Sequence, residues 1–164
     1  MKMPALMVTL LLAQAPLAAH AVTIEPKGKA LAAILGSTKV SQKKFKIDGA
    51  DTNVFYAKDA AGKASRLAFV QEGLYPPNCT HTWVVGVDPG TAAVTEVRVV
   101  EMECPHAFPT KEVSFLAQFV GKAPADLESL SEVKAVAKAT GSSELAIGAV
   151  KKSIRAGQQI RGQL

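Results

Sequence analysis

The chain is poor in aromatic residues, with one tryptophan, two tyrosines and six phenylalanines in 164 residues. Only Phe45 falls within the basic clusters Lys43-Lys44-Lys46 and Lys151-Lys152-Arg155-Arg161. A nucleic-acid surface needs basic residues with stacking rings among them, so that class of partner is not expected. Cysteine is almost absent too, and the two present, Cys79 and Cys104, form no C-x-x-C-H motif, which excludes attached haem. No paired carboxylates and no Ser/His/Asp arrangement stand out for hydrolysis. There is no internal repeat and no low-complexity linker. No apolar run beyond the first residues is long enough to span a membrane.

The first residues read MKMPALMVTLLLAQAPLAAHA. Lys2 supplies a positive end, Leu6 to Leu12 a short apolar stretch, and Ala19-His20-Ala21 an A-x-A cleavage site. This is the pattern of a secretory signal peptide over 1–21, leaving one domain over 22–164 in a periplasmic or otherwise exported protein. Lys2 is the only charge in the signal, so the remainder carries 19 − 1 = 18 basic against 14 acidic residues, a net +4. That is a mild, scattered excess, read as solvated faces; a docking surface for an acidic protein stays open.

An even cysteine count in an exported chain points to a disulfide. Both histidines outside the signal, His81 and His106, lie two residues after a cysteine, as CTH and CPH. If their strands pair, the four side chains share a face, and a Cys₂His₂ metal site is an alternative to the cystine, although C-x-H is not zinc-finger spacing. The sequon Asn78-Cys79-Thr80 shares its cysteine with the expected disulfide and is read as chance.

The local patterns predict an α+β domain, an antiparallel sheet built from hairpins with helices before and after it. Lys27 to Leu35 reads as a helix stopped by Gly36. Asn53 to Lys58 and Ser65 to Gln71 read as strands around the turn DAAGK. His81 to Val87 and Ala93 to Cys104 form a second hairpin around DPGT. Cys79, His81, Trp83 and Val85 then share a face, as do Val100, Met102, Cys104 and His106. Pairing Trp83 with Val100 sets Cys79 opposite Cys104, within disulfide reach, but also sets Val85 against Arg98, which a bulge near the turn would repair. Thr110 is placed to cap a helix over KEVSFLAQFV that ends at Gly121. Leu127, Leu130, Val133 and Val136, at three-residue spacing, fit a short helix or an irregular packed segment. A last helix runs from about Glu144 to Arg155 on a stripe of Ile147, Val150 and Ile154, with Glu144 in its first turn and basic residues near its end; GQQIRGQL reads as frayed.

The small-residue run Ala139-Thr140-Gly141-Ser142-Ser143 opens into that helix. A helix start carries unpaired N–H groups and a partial positive charge, and small residues let an anion approach. Alone, the run is a cap or a phosphate seat. The wider stretch VKAVAKATGSSELAIGAVKKSI resembles the C-terminal motif of the FMN-binding domain family, which includes flavin-carrying subunits of sodium-pumping and Rnf-type respiratory complexes. That motif is Asp-x-x-Ser/Thr-Gly-Ala-Thr-x-Ser/Thr-Ser before a helix. FYAKDAAGKASRLAFV resembles the family's early hairpin, VVGVDPGTAAVTEVRVVE its central hairpin, and FLAQFVGKAP the helix before the motif.

The resemblance implies an FMN-carrying electron-transfer protein rather than a catalyst with its own substrate. FMN would be held by Ala139, Thr140, Gly141, Ser142 and Ser143, with His106 near the flavin. A redox partner, a cytochrome or a membrane respiratory complex, is implied as well. In many members a transferase esterifies the motif threonine, here Thr140, to the FMN phosphate. The motif's Asp falls at Lys134, its Ser/Thr at Ala137 and its Gly at Lys138. Covalent FMN, non-covalent FMN and a degenerate site in a non-catalytic assembly protein therefore all stay open, beside the metal-binding alternative on the two C-x-H pairs.

Overall fold

The computed structural model describes residues 22–164; the signal peptide read over 1–21 lies outside them. A six-stranded antiparallel sheet has the order β1-β6-β5-β4-β3-β2. Its strands are β1 (Val22–Thr23), β2 (Ser41–Ile47), β3 (Ala50–Lys58), β4 (Ala64–Tyr75), β5 (Cys79–Val87) and β6 (Val94–Met102). From β2 to β6 each strand pairs with the next in sequence, so tight turns make every connection. The α+β architecture with a helix before the sheet and one after it stands.

Each face of the sheet carries one helix. Helix α1 (Lys27–Leu35) buries Ala30, Leu31, Ile34 and Leu35 against Ala57, Ala68, Val84 and Val100. It ends where predicted, with Gly36 in the left-handed region at φ 62° and its N–H bonded back into the last turn. The larger core lies on the other face. There Phe69, Trp83, Val85, Val99 and Met102 meet Phe119, Leu130, Ala146, Val150 and Ile154. Because both faces are covered, β5 is buried at all but one position, and its second half, Trp83 to Val87, does not alternate with polar residues.

The β5–β6 register explains a misfit in the sequence. His81 pairs with Met102 and Thr82 with Glu101, but the register then slips by one, so Trp83 faces Val99 and not Val100. The extra residue turns Val100 toward α1, off the face it was expected to share with Met102. The bulge sets Val85 against Val97 and moves Arg98 to the α1 side, where it meets Glu25 at 3.0 Å and Glu96 at 2.7 Å.

The cluster Lys43-Lys44-Lys46 lies on β2, one of the two edge strands, where exposed lysines disfavour pairing with another chain. The Asp48-Gly49 turn joins it to β3, with φ 48° and 81° at the two residues.

The segment after β6 is not the single helix expected from KEVSFLAQFV. Pro105–Lys111 winds as 3₁₀, one α turn follows (α2, Val113–Leu116), and Ala117–Phe119 is again 3₁₀. Thr110 does not cap a helix start; its hydroxyl donates to the Ala107 carbonyl at 2.7 Å. Prolines at 105 and 109 remove two amide donors, which favours these short turns. Phe115 and Phe119 still reach the core, packed edge to face at 5.3 Å. The leucine-valine spacing of three resolves as irregular 3₁₀ turns at Pro124–Asp126 and Ser129–Glu132, with Leu130 fully buried.

Helix α3 (Thr140–Gln159) is longer at both ends than the sequence indicated. Glu144 is thus not in its first turn, and no basic residue is in its last. Its end is not frayed: Ile160 is buried, and the Arg161 guanidinium donates to the Thr91 carbonyl at 3.1 Å. Small residues on the inner face let α3 lie close to the sheet. At Gly157 an added Cβ would come within 2.8 Å of a Val87 methyl.

Candidate functional site

At one end of the sheet, the start of α3, the β4–β5 connection and the chain leaving β6 enclose a cavity of about 450 Å³. That is a size suited to a small-molecule ligand. One wall is Lys138, Ala139, Thr140, Gly141 and Ser142; another is Tyr75, Pro76, Pro77 and Asn78, with a cis bond between the prolines. Cys79, Cys104, His106 and Ala107 complete it.

The small-residue run therefore does more than precede the helix, because α3 begins at Thr140 itself. The first intrahelical bond is from Ser143 N–H to the Ala139 carbonyl at 2.9 Å. Among the described residues the N–H groups of Thr140, Gly141 and Ser142 have no acceptor. No side chain caps this end. Thr140 is exposed and Ser142 nearly buried, and both line the cavity. No lining residue is a carboxylate, whereas Lys138 is a cation. Free amide donors, a hydroxyl, a helix dipole and a lysine form a donor set that fits a phosphate.

Gly141 is required by its neighbour. A Cβ placed there would collide with the Tyr75 Cε2 atom, so the ring packs directly against the glycine. Tyr75 is half exposed and gives the cavity an aromatic wall. The sequence reading missed Tyr75 and the two prolines. Their only signal was a Pro-Pro-Asn turn directly before a strand.

Ser143 does not belong to the site. It is fully buried, and its hydroxyl donates to the Ala139 carbonyl at 2.9 Å while accepting from Val136 N–H at 3.0 Å. It locks the loop that presents Lys138 and Ala139. A serine pair at adjacent helix positions points in two directions, about 100° apart; Ser142 therefore faces the cavity and Ser143 the core.

The histidines also separate. His106 is exposed on the cavity wall. His81 is fully buried, stacked on Trp83 at 5.3 Å. Its Nδ1 lies 3.1 Å from the Cys79 carbonyl, so Nδ1 carries the proton, and Nε2 accepts from the Ser142 hydroxyl at 3.0 Å. Burial pushes the ring below the usual histidine range, against the opposing pull of the Cys79 carbonyl and Glu103. His81 thus orients Ser142 from behind.

Cys79 and Cys104 form the expected disulfide, with Cα atoms 5.6 Å apart. The Cys₂His₂ alternative is corrected by this geometry. Both sulfurs are bonded to each other, His81 is engaged elsewhere, and no group of three or more potential ligands gathers among the described residues. Of the two lysines that depart from the motif, only Lys138 lines the cavity. Lys134 is held away from it by Gln118, whose amide bonds its N–H at 2.9 Å and its carbonyl at 3.2 Å.

Lys138 adopts φ 64°, the left-handed region that glycine tolerates best. A glycine would take this conformation without strain, whereas the lysine is strained here. Lys138→Gly is expected to raise folding stability by about 1 kcal/mol while weakening anion binding, because the cavity loses its lysine. Urea unfolding and phosphate titration of one variant read the two opposite signs.

Among the described residues no helix is long and apolar enough to cross a membrane. With a disulfide present, this is compatible with an exported protein. Comparison of the chain with protein-family models, with curated proteins and with solved structures returns no match.

Proposed function

We propose that this chain is an exported FMN-binding electron carrier, its flavin phosphate seated on the first turn of α3. One observation carries the reading: residues 138–142 line a single cavity with an aromatic wall and no carboxylate. A phosphate there would meet the Thr140, Gly141 and Ser142 amides and the Lys138 ammonium, and of residues 138–142 Thr140 offers the exposed hydroxyl for a phosphodiester. FMN supplies one- and two-electron chemistry. The chain's part is to hold the phosphate, supply Tyr75 as a wall and keep Ser142 fixed through His81. Of the proposed cofactor residues, Ala139, Thr140, Gly141, Ser142 and His106 stay in the site. A carrier of this kind passes electrons to a redox partner, a cytochrome or a membrane respiratory complex, and needs no catalytic base.

The test is direct. Protein exported from cells that also make a flavin transferase is expected to be yellow. Fluorescence that survives a denaturing gel marks a covalent link, and Thr140→Val is expected to abolish it without changing the circular dichroism. Colourless protein would leave the same fold as an assembly or docking module and end the carrier reading.

A further inference from the structure

The cystine lies in the wall of the same cavity, and its surroundings are those that make thiolates stable. Cys79 is 4 % exposed and Cys104 is half-buried. Lys138, the exposed His106 and the amide end of α3 line the cavity with them, and no carboxylate does. A cation and a helix N-terminus both lower a thiol pKa, and a lower pKa makes a sulfur a better leaving group in exchange.

Backbone pairing also joins the two strands at that end, so the cystine is not their sole link there. His81 pairs with Met102 and Thr82 with Glu101 immediately beside it. The Glu103 N–H bonds the Thr80 carbonyl at 3.1 Å, and Glu103 Oε2 accepts from Thr80 N–H at 2.8 Å. The ladder therefore runs to within one residue of each cysteine. A cystine placed only to secure a hairpin gains nothing from lying in the wall of a cavity.

We propose that Cys79–Cys104 is a redox-active cystine, a two-electron centre that exchanges with a dithiol entering the cavity. The incoming thiolate attacks the more exposed Cys104 sulfur. The S–S bond breaks, a mixed disulfide forms at Cys104, and Cys79 leaves as a thiolate in the positive field of Lys138 and α3. The second thiol of the dithiol, losing its proton, then attacks the mixed disulfide and releases Cys104. Two electrons have passed to this chain, which now holds two thiols. The dithiol has become a disulfide, and its two protons end on Cys79 and Cys104. The step needs no flavin and stands apart from the flavin reading.

The experiment uses the whole exported protein without added flavin, dithiothreitol as the dithiol, and mass spectrometry after alkylation. Both cysteines of the native protein are expected to open together at low millimolar dithiothreitol, with circular dichroism unchanged. Lys138→Glu is expected to slow opening roughly three- to tenfold, since it reverses a charge on the wall of the cavity that the leaving thiolate shares. His106→Gln gives a second reading of the same environment. A cystine that resists until the protein is unfolded by denaturant would overturn the proposal. So would fast opening that neither variant changes, because the cavity would then have no part in it. Yellow or colourless protein bears only on the flavin reading.

Discussion

Gly141→Val is expected to lower flavin affinity roughly ten- to hundredfold while leaving the protein folded. The new Cβ would occupy the place of the Tyr75 ring, which lies against the glycine backbone. Tyr75 is half exposed, so the ring can swing outward instead of unfolding the domain. Overpacking of this kind costs about 1–3 kcal/mol, and about 1.4 kcal/mol corresponds to a tenfold change in affinity. The displaced ring takes the aromatic wall with it. Adding Tyr75→Ala to Gly141→Val should restore the melting temperature but not the binding. Isothermal titration with FMN reads the affinity; an unchanged dissociation constant would mean that Tyr75 and Gly141 are not part of the seat.

His81→Ala should destabilise the protein by about 3–5 kcal/mol, which combines a buried cavity with lost hydrogen bonds. The ring is fully buried on Trp83, and both of its nitrogens are paired. Removing it leaves the Ser142 hydroxyl without its acceptor at the cavity wall. The same ring governs a pH dependence. Above about pH 6.5 it is neutral in both folded and unfolded chains and contributes no slope. Below that, the unfolded chain takes up a proton that the buried ring resists, so stability falls as pH falls. The slope is at most about 1.4 kcal/mol per pH unit for one proton. It ends once pH drops below the ring's own lowered value.

Two carboxylates act further down. Hydrogen bonds from Thr91 hold Asp88 low, and bonds from Thr80 hold Glu103 low. Their stabilisation is present above the ordinary carboxylate range and is lost as pH falls through their depressed values. Urea midpoints at pH 7.5 and 5.5 therefore isolate His81. His81→Gln should flatten the difference, and an equal slope in both proteins would assign it to another group.

Much of the fold is legible from local patterns because local physics decides it. The Lys27–Leu35 helix ends at Gly36 because the left-handed turn there favours a residue without a Cβ. The two hairpins around DAAGK and DPGT follow from aspartates whose side chains bond the turn amides, Asp59 to Ala61 and Lys63, and Asp88 to Gly90 and Thr91. The Asp48-Gly49 hairpin was equally present in the sequence, but the lysines of β2 disguised the strand as a charged cluster. An edge strand hides its period because only one of its neighbours constrains it.

By itself the sequence determined the α+β class, the facing cysteines and a helix entered through small residues. The tertiary structure decided what those residues do. Only packing shows that Tyr75, from the end of β4, occupies the space beside Gly141. Adjacent serines look alike in one dimension, yet a helix sends Ser142 to His81 and the cavity while Ser143 closes the loop behind it. The C-terminal extension of α3 depends on tertiary packing, since Ile160 is ordered by burial rather than by propensity. The need for a bulge was visible as the mismatch of Val85 with Arg98, but its place, between Thr82 and Trp83, came only from the paired strands.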